Sequence, residues 1–115
     1  MSVTIVAGTI EIAAKDRDRA LQEAAQLMND TRAQDGCNHY VWAADPTSDK
    51  RIYVYENWAS TETFAAHLAG EYYAKMLAHL GSFGLENVEV KKFQVAREQA
   101  VYDPQGVPRA DFFDE

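Results

Sequence analysis

Two short runs rich in aromatic and β-branched residues, with only a turn between them, constrain the fold of this chain most strongly. Residues 38–44 and 51–58 each have the length and composition of a β-strand. The segment Asp45–Lys50 between them contains Asp-Pro and Ser-Asp, which favour a turn. A connection this short predicts that the two strands form an antiparallel hairpin.

The second run, RIYVYENW, alternates between two faces of its strand. One face carries Ile52, Val54, Glu56 and Trp58, and the other carries Arg51, Tyr53, Tyr55 and Asn57. Ser60 follows as a helix cap, and His67 lies on that helix nine residues after Trp58. This spacing predicts that the indole and the imidazole converge on one pocket at the corner between strand and helix.

The first half of the chain adds a strand and a helix before the hairpin. Residues 3–12 are rich in β-branched residues and predict a strand. Apolar residues recur at helical spacing through residues 17–34, which predicts one amphipathic helix capped by Asp16 or Asp18. Gly36 can take the left-handed conformation that ends a helix.

The second half repeats this pattern and completes the fold. The helix after Ser60 is interrupted or bent at Gly70 and continues to Leu80, and residues 86–97 predict a fourth strand. The order is strand, helix, strand, strand, helix, strand. It predicts an α+β, ferredoxin-like βαββαβ fold with an antiparallel sheet.

Length and charge limit the domain count and the classes of partner. A chain of 115 residues suits one domain, which we place at residues 1–97. A net charge of −7 argues against nucleic acid. The basic residues are scattered, and a solvated surface explains the Lys91-Lys92 pair and the Arg17/Arg19 segment. The sequence contains no membrane-length apolar stretch and no signal pattern, and a single cysteine suits a reducing compartment. We therefore expect no membrane partner and a cytoplasmic location.

Residues 98–115 differ in composition from the domain and are expected to form a C-terminal arm. Two of the three prolines and several acidic residues lie there, together with large apolar side chains at Val101, Tyr102, Phe112 and Phe113. Disordered tails usually lack so many apolar groups. The composition predicts an arm that docks on the domain or on a partner subunit, with an acidic end.

Several residues around the corner have both a chemical and a structural interpretation. His67 could accept a proton near neutral pH, or could be a hydrogen-bonded histidine at the edge of the core. Trp58 could stack on a flat ligand or fill the core. Glu56 could orient His67 or pair with a basic group for structural reasons. One of Tyr72 and Tyr73 could close over a ligand after the Gly70 bend.

Cofactor motifs are missing from the sequence. The three histidines do not fall at metal-ligand spacings, and no glycine-rich phosphate loop follows a strand. We therefore expect no metal and no nucleotide cofactor.

An ordered series of short motifs resembles the antibiotic biosynthesis monooxygenase family over residues 3 to 97. The motifs are Thr31-Arg32, Gly36-Cys37, Tyr40, Asp45-Pro46, Glu56-x-Trp58 and Ala66-His67-Leu68. The resemblance implies a dimeric α/β barrel in which two ferredoxin-like sheets pack together. It therefore implies a homodimer, with a pocket in each subunit between its own sheet and helices.

The resemblance also implies an activity. Several members of the family oxidise phenolic, quinol-like or polycyclic aromatic molecules with O2 and without a cofactor. On this chain, His67 would be the catalytic base, and Trp58, Glu56, Phe64, Tyr72 and Tyr73 would bind the small aromatic substrate. Two alternatives remain: a non-catalytic dimeric module that binds a small ligand, and an isomerase acting through an enol. Haem-degrading relatives need an asparagine on the first strand, which residues 3–12 lack.

Overall fold

A computed structural model describes residues 2–113 of the chain. The four strands are β1 (Thr4–Glu11), β2 (Cys37–Ala44), β3 (Arg51–Trp58) and β4 (Glu86–Gln94). The four helices are α1 (Ala14–Glu23), α2 (Ala25–Arg32), α3 (Thr61–Leu68) and α4 (Glu71–Gly81). Met1, Asp114 and Glu115, and with them the predicted acidic end of the arm, lie outside the described residues.

The strands form one antiparallel sheet in the order β2-β3-β1-β4, with β1 paired to both β3 and β4. This is the predicted α+β, ferredoxin-like arrangement, and the sheet of the single chain is open rather than closed into a barrel. The predicted alternation of β3 is confirmed: Ile52, Val54, Glu56 and Trp58 are buried, whereas Tyr53 and Tyr55 are exposed. The helices therefore cover one face of the sheet only.

The edge strand β4 differs from the other three because every one of its residues is exposed. The core instead lies where α1, α2 and α4 meet β1, β2 and β3, around Ile10, Ile12, Ile52, Trp58 and Leu80. One part of the helix-side face, along β4, is therefore left without a helix over it.

The prediction of one helix over residues 17–34 is wrong in two respects. The helical segment begins earlier, after Ala13, and no side chain caps it. The Asp16 carboxylate accepts a hydrogen bond from the Arg19 guanidinium (2.9 Å) and does not cap the helix. A single turn residue, Ala24, separates α1 from α2, and its N–H is shared between the carbonyls of Ala20 and Leu21.

The interpretation of Arg17 as a solvated surface residue is also wrong. Its side chain is buried, and its guanidinium donates hydrogen bonds to the backbone carbonyls of Asp45, Ser48 and Arg51. Arg17 therefore ties α1 to the turn between β2 and β3.

The corner between β3 and α3 is held by a reciprocal cap. Ser60 Oγ accepts from the Thr63 N–H (3.1 Å), and Thr63 Oγ1 accepts from the Ser60 N–H (3.2 Å). Gly36, in the left-handed region at φ 78°, packs on this cap so closely that a Cβ there would lie 2.4 Å from Thr63 Cγ2. The predicted roles of Ser60 and of Gly70, which begins α4, are confirmed.

The described part of the arm folds on itself. Tyr102 and Pro108 form an isolated antiparallel bridge, and the Asp103 carboxylate accepts from the N–H groups of Gln105 and Val107. The guanidinium of Arg97 lies over the Phe112 ring at 4.6 Å. Several large apolar side chains remain exposed, at Val101, Tyr102, Val107 and Phe112. Docking of the arm on a partner subunit stays a prediction.

Candidate active site

A cavity of about 600 Å³ lies between the helix side of the sheet and the helices α3 and α4. Its walls are mainly apolar, with Phe64 and Leu68 from α3 and Met76, Leu77 and Leu80 from α4. The β4 strand contributes Val88, Val90, Lys91 and Lys92. The cavity exists because α3 and α4 cover the inner strands and leave the helix side of β4 uncovered.

Glu56 lines this cavity from the middle of the sheet. Glu56 is buried, and its Oε1 accepts a hydrogen bond from Trp58 Nε1 at 2.9 Å. Burial raises the pKa of Glu56, and the hydrogen bond from Trp58 partly opposes that rise. The result is a carboxyl group that can take up and release a proton closer to neutral pH than an exposed one.

A second polar group lines the cavity from β2. The Tyr40 hydroxyl accepts a hydrogen bond from Trp42 Nε1 at 2.8 Å, and both residues line the cavity. Burial raises the pKa of Tyr40, so the phenol keeps its proton at neutral pH. Tyr40 can therefore donate a hydrogen bond to an oxygen atom placed in the cavity.

The predicted meeting of the Trp58 and His67 rings is present in the structure, but neither residue lines the cavity. Their rings stack with centroids 4.6 Å apart and an interplanar angle of 28°. Tyr40 and Tyr73 meet the His67 ring edge-on, at 5.7 and 5.8 Å. The corner is closely packed, since Trp58 and His67 are only 0% and 2% exposed.

His67 has a different hydrogen-bond partner from the one the sequence suggested. Its Nδ1–H donates to Gln34 Oε1 at 2.8 Å, so Glu56 does not orient the imidazole. Burial lowers the pKa of His67, which favours the neutral ring. His67 is not part of the cavity wall and lies behind Tyr40 and Tyr73, which are.

The residues predicted to bind substrate divide into two groups. Glu56, Phe64 and Tyr73 line the cavity, whereas Trp58 and Tyr72 do not. Trp58 touches the site through its hydrogen bond to Glu56, and Tyr72 is half-buried elsewhere on α4. The roles predicted for all of them, and for His67 as base, stay predictions.

Among the residues of the cavity wall that the sequence did not indicate as site residues are Tyr40, Trp42 and Lys92. Alternation along β2 and β4 was the available signal, because it puts Tyr40 with Trp42 and Lys92 with Val90 on single faces. Which face meets the helices follows only from the pairing with β1 and β3.

Within residues 2–113, no group of three or more histidine, cysteine or carboxylate side chains could hold a metal ion. Over these residues, no helix is long and apolar enough to cross a bilayer.

Comparison with known structures places this fold among small proteins of similar size. A candidate antibiotic biosynthesis monooxygenase from Deinococcus radiodurans is similar with a TM-score of 0.75 and 16% identity, over 90% of this chain and 100% of that one. A conserved protein of unknown function from Bacteroides thetaiotaomicron has a TM-score of 0.73 and 20% identity, over 82% and 98% of the two chains. At these identities the likeness shows the fold alone.

A third structure, a candidate antibiotic biosynthesis monooxygenase from Caulobacter crescentus, has a TM-score of 0.71 and 17% identity, over 84% of this chain and 91% of that one. No curated protein matches the chain. The family model of the antibiotic biosynthesis monooxygenases matches residues 4–79, which is more than half of the sequence. The chain therefore belongs to the antibiotic biosynthesis monooxygenase family.

Proposed function

We propose that this protein is a cofactor-independent monooxygenase that oxidises a phenolic or quinol-like fused-ring compound with O2. Family membership supports a monooxygenase-like role in general terms. The observation that carries the proposal is the apolar cavity of about 600 Å³ with a buried carboxyl group, Glu56, in its wall. Cavities that hold small molecules have similar volumes and the same combination of apolar walls with a few polar groups.

The walls suit a flat ring system. Phe64 and Tyr73 bring aromatic side chains, and Met76, Leu77 and Leu80 add aliphatic surface from one helix. A flat aromatic compound bound there would lose water from both ring faces, which is the main source of affinity for such ligands.

Glu56 is the group that we assign as proton acceptor. Its raised pKa suits removal of a phenolic proton, and Glu56 lines the cavity. His67, which the sequence suggested as the base, lies behind the wall and bonds Gln34. We assign His67 to positioning: it stacks on Trp58, and Trp58 holds Glu56.

Deprotonation makes the chemistry accessible to O2. A phenolate can pass one electron to O2, and the resulting phenoxyl radical and superoxide join in a new C–O bond. Glu56 returns the first proton to the peroxide. Loss of the C–H proton with cleavage of the O–O bond then releases water and leaves a carbonyl. Substrate and O2 supply all the electrons of this oxidation, so no further reductant is needed.

Tyr40 is placed to stabilise the negative oxygen during this sequence. Its hydroxyl is held by Trp42 and keeps its own proton, which it can donate to the phenolate or to the new carbonyl oxygen. A donor fixed before the reaction stabilises developing charge without the cost of reorienting solvent.

The active form that we propose is a homodimer. The sheet face without helices exposes Tyr53, Tyr55 and Phe93, at 51%, 37% and 50%. Apolar surface of this kind marks an interface, and a symmetric pair of sheets would cover both faces at once. Sedimentation at micromolar concentration is expected to show a dimer, and a folded monomer there would contradict it.

Oxygen uptake with a panel of fused-ring hydroquinones and phenols tests the activity. We expect one O2 consumed per molecule of substrate, with one atom of isotopically labelled O2 recovered in the product. Purified protein treated with a metal chelator should retain this activity. Proton exchange at a substrate carbon without oxygen uptake would instead identify an enol-based isomerase. Binding without either reaction would identify a ligand-binding module.

A further inference from the structure

We propose that the substrate of this cavity carries a carboxylate, bound by Lys92 at the end of the ring system away from Glu56. The inference rests on the proposed site, and it names the class of compound that the site accepts: a fused-ring phenol with an acidic group at its far end.

Strand register puts the two charged residues in one row. Val6 on β1 pairs with Glu56 on β3 and with Lys92 on β4. Residues paired across neighbouring strands share one face of a sheet, so the side chains of all three lie on the helix side. Since neighbouring strands are about 4.8 Å apart, the Cα atoms of Glu56 and Lys92 are about 10 Å apart.

Val6 lies between the two charged groups and is itself part of the cavity wall. A flat ligand lying on Val6 would therefore have a proton acceptor at one end and an ammonium group at the other. A naphthalene ring substituted at its two ends would direct one substituent towards each of these residues.

The cavity wall carries one carboxyl group and one ammonium group on the helix side of the sheet, those of Glu56 and Lys92. Within residues 2–113, Lys92 takes part in no ion pair; the salt bridges there use other cations, such as Lys50 and Lys75. A ligand carboxylate would supply the missing counter-charge.

The position of Lys92 suits recognition rather than support of the fold. No helix covers β4, so the Lys92 side chain is exposed at the cavity mouth. Its stem can lie along apolar surface such as Val90, while the ammonium group meets both solvent and an entering anion. Lys91 also borders the cavity, but alternation directs it towards the opposite face of β4.

Binding measured without O2 tests this inference apart from catalysis. The probes are 6-hydroxy-2-naphthoate, its neutral methyl ester, and 3-hydroxy-2-naphthoate, in which the acid and the phenol are adjacent. Quenching of tryptophan fluorescence reports binding, because Trp42 lines the cavity. We expect the first acid to bind about fivefold more tightly than its ester, which corresponds to ~1 kcal/mol for a partly exposed ion pair.

Two variants test whether Lys92 causes the tighter binding of the acid. Lys92→Met should abolish the preference for the acid over the ester, with a much larger loss in binding of the acid than of the ester. Lys75→Gln, which removes the same charge from the exposed side of α4, should keep the preference. 3-Hydroxy-2-naphthoate should bind more weakly than 6-hydroxy-2-naphthoate, because its carboxylate is next to the phenol and not at the far end of the ring system.

Three results would overturn the inference: equal binding of acid and ester, an undiminished preference in Lys92→Met, or an equal loss in Lys75→Gln. These outcomes are separate from those of the oxygen-uptake assay. A preference for the acid that depends on Lys92 but comes without oxygen uptake would refute the monooxygenase proposal alone. Oxygen uptake without that preference would refute only the proposal that the substrate carries a carboxylate.

Discussion

Two neighbouring regions at the end of β3 look alike in burial and differ in what they can do. Trp58 and His67 form a stacked pair that is shielded from solvent, and Glu56 is almost as buried, at 6% exposure. Of these three residues, only Glu56 lines the cavity. In our proposal, the pair supplies rigidity, whereas the carboxyl group of Glu56 acts as the proton acceptor.

A single hydrogen bond joins the two regions. Trp58 Nε1 donates to Glu56 Oε1, two residues earlier on the same face of β3. The corner can therefore influence the chemistry of the cavity without touching the substrate. In this protein the aromatic pair with the conspicuous spacing supports the cavity wall, and the residue that lines the cavity, Glu56, lies two positions before Trp58 on the same face of β3.

The largest expected effect separates the two regions by turnover. Glu56→Gln should lower kcat about a hundredfold or more, because general-base catalysis contributes that much and the amide cannot accept the proton. His67→Gln should lower kcat less than about tenfold, because the imidazole acts through Trp58 and Glu56. Glu62→Gln, an exposed change on α3, is the control. The reverse order of loss would restore His67 as the base.

A change in the hydrogen bond between the regions should move the pH profile. Trp58→Phe keeps a ring against His67 but removes the donor to Glu56, and that donor lowers the pKa of Glu56. The pKa should therefore rise, and the acidic limb of kcat/KM should move to higher pH. Phe64→Leu is the matched control, since Phe64 packs near Trp58 but does not bond Glu56. If the acidic limb of kcat/KM does not move in Trp58→Phe, the hydrogen bond from Trp58 does not control the pKa of the catalytic group.

A smaller effect is expected on the pH dependence of the protein's thermal stability. Burial lowers the pKa of His67 below its ordinary value of 6.5, so the folded state favours the neutral ring. Stability from this group is present above about pH 6.5 and is lost as the pH falls and the unfolded chain takes up the proton. From about pH 8 to pH 5.5, the melting temperature of the parent protein should therefore change less favourably than that of His67→Gln. Parallel curves would show that the corner does not disfavour the charged ring.

The smallest effect on the single subunit is expected from removal of the arm after Arg97. The described contacts of the arm are largely internal, as with Asp103 and with the bond from the Phe113 N–H to Gln99. Melting of the subunit should change little, whereas dimerisation should weaken if Val101, Tyr102 and Phe112 dock on a partner. Sedimentation of full-length and shortened protein across a dilution series measures this. Unchanged dimerisation would show that the arm is dispensable for assembly.

Several features could be read from short-range patterns because their causes are local. The hairpin, the limits of β3, the cap at Ser60 and the break at Gly70 depend on residues adjacent in the chain. The continuity of the first helix could not be read in this way. Its break at Ala24 lies within a run of good helix formers.

Local sequence patterns were enough to predict the fold class, the two faces of β3 and the meeting of Trp58 with His67. Each of these follows from periodicity and from a short connection between strand and helix. The tertiary structure alone decided that Glu56 opens into a cavity, that His67 bonds Gln34, and that Lys92 lies in the same row as Glu56. The physical reason is that strand pairing and helix coverage join residues distant in the chain, and local propensity carries no information about them.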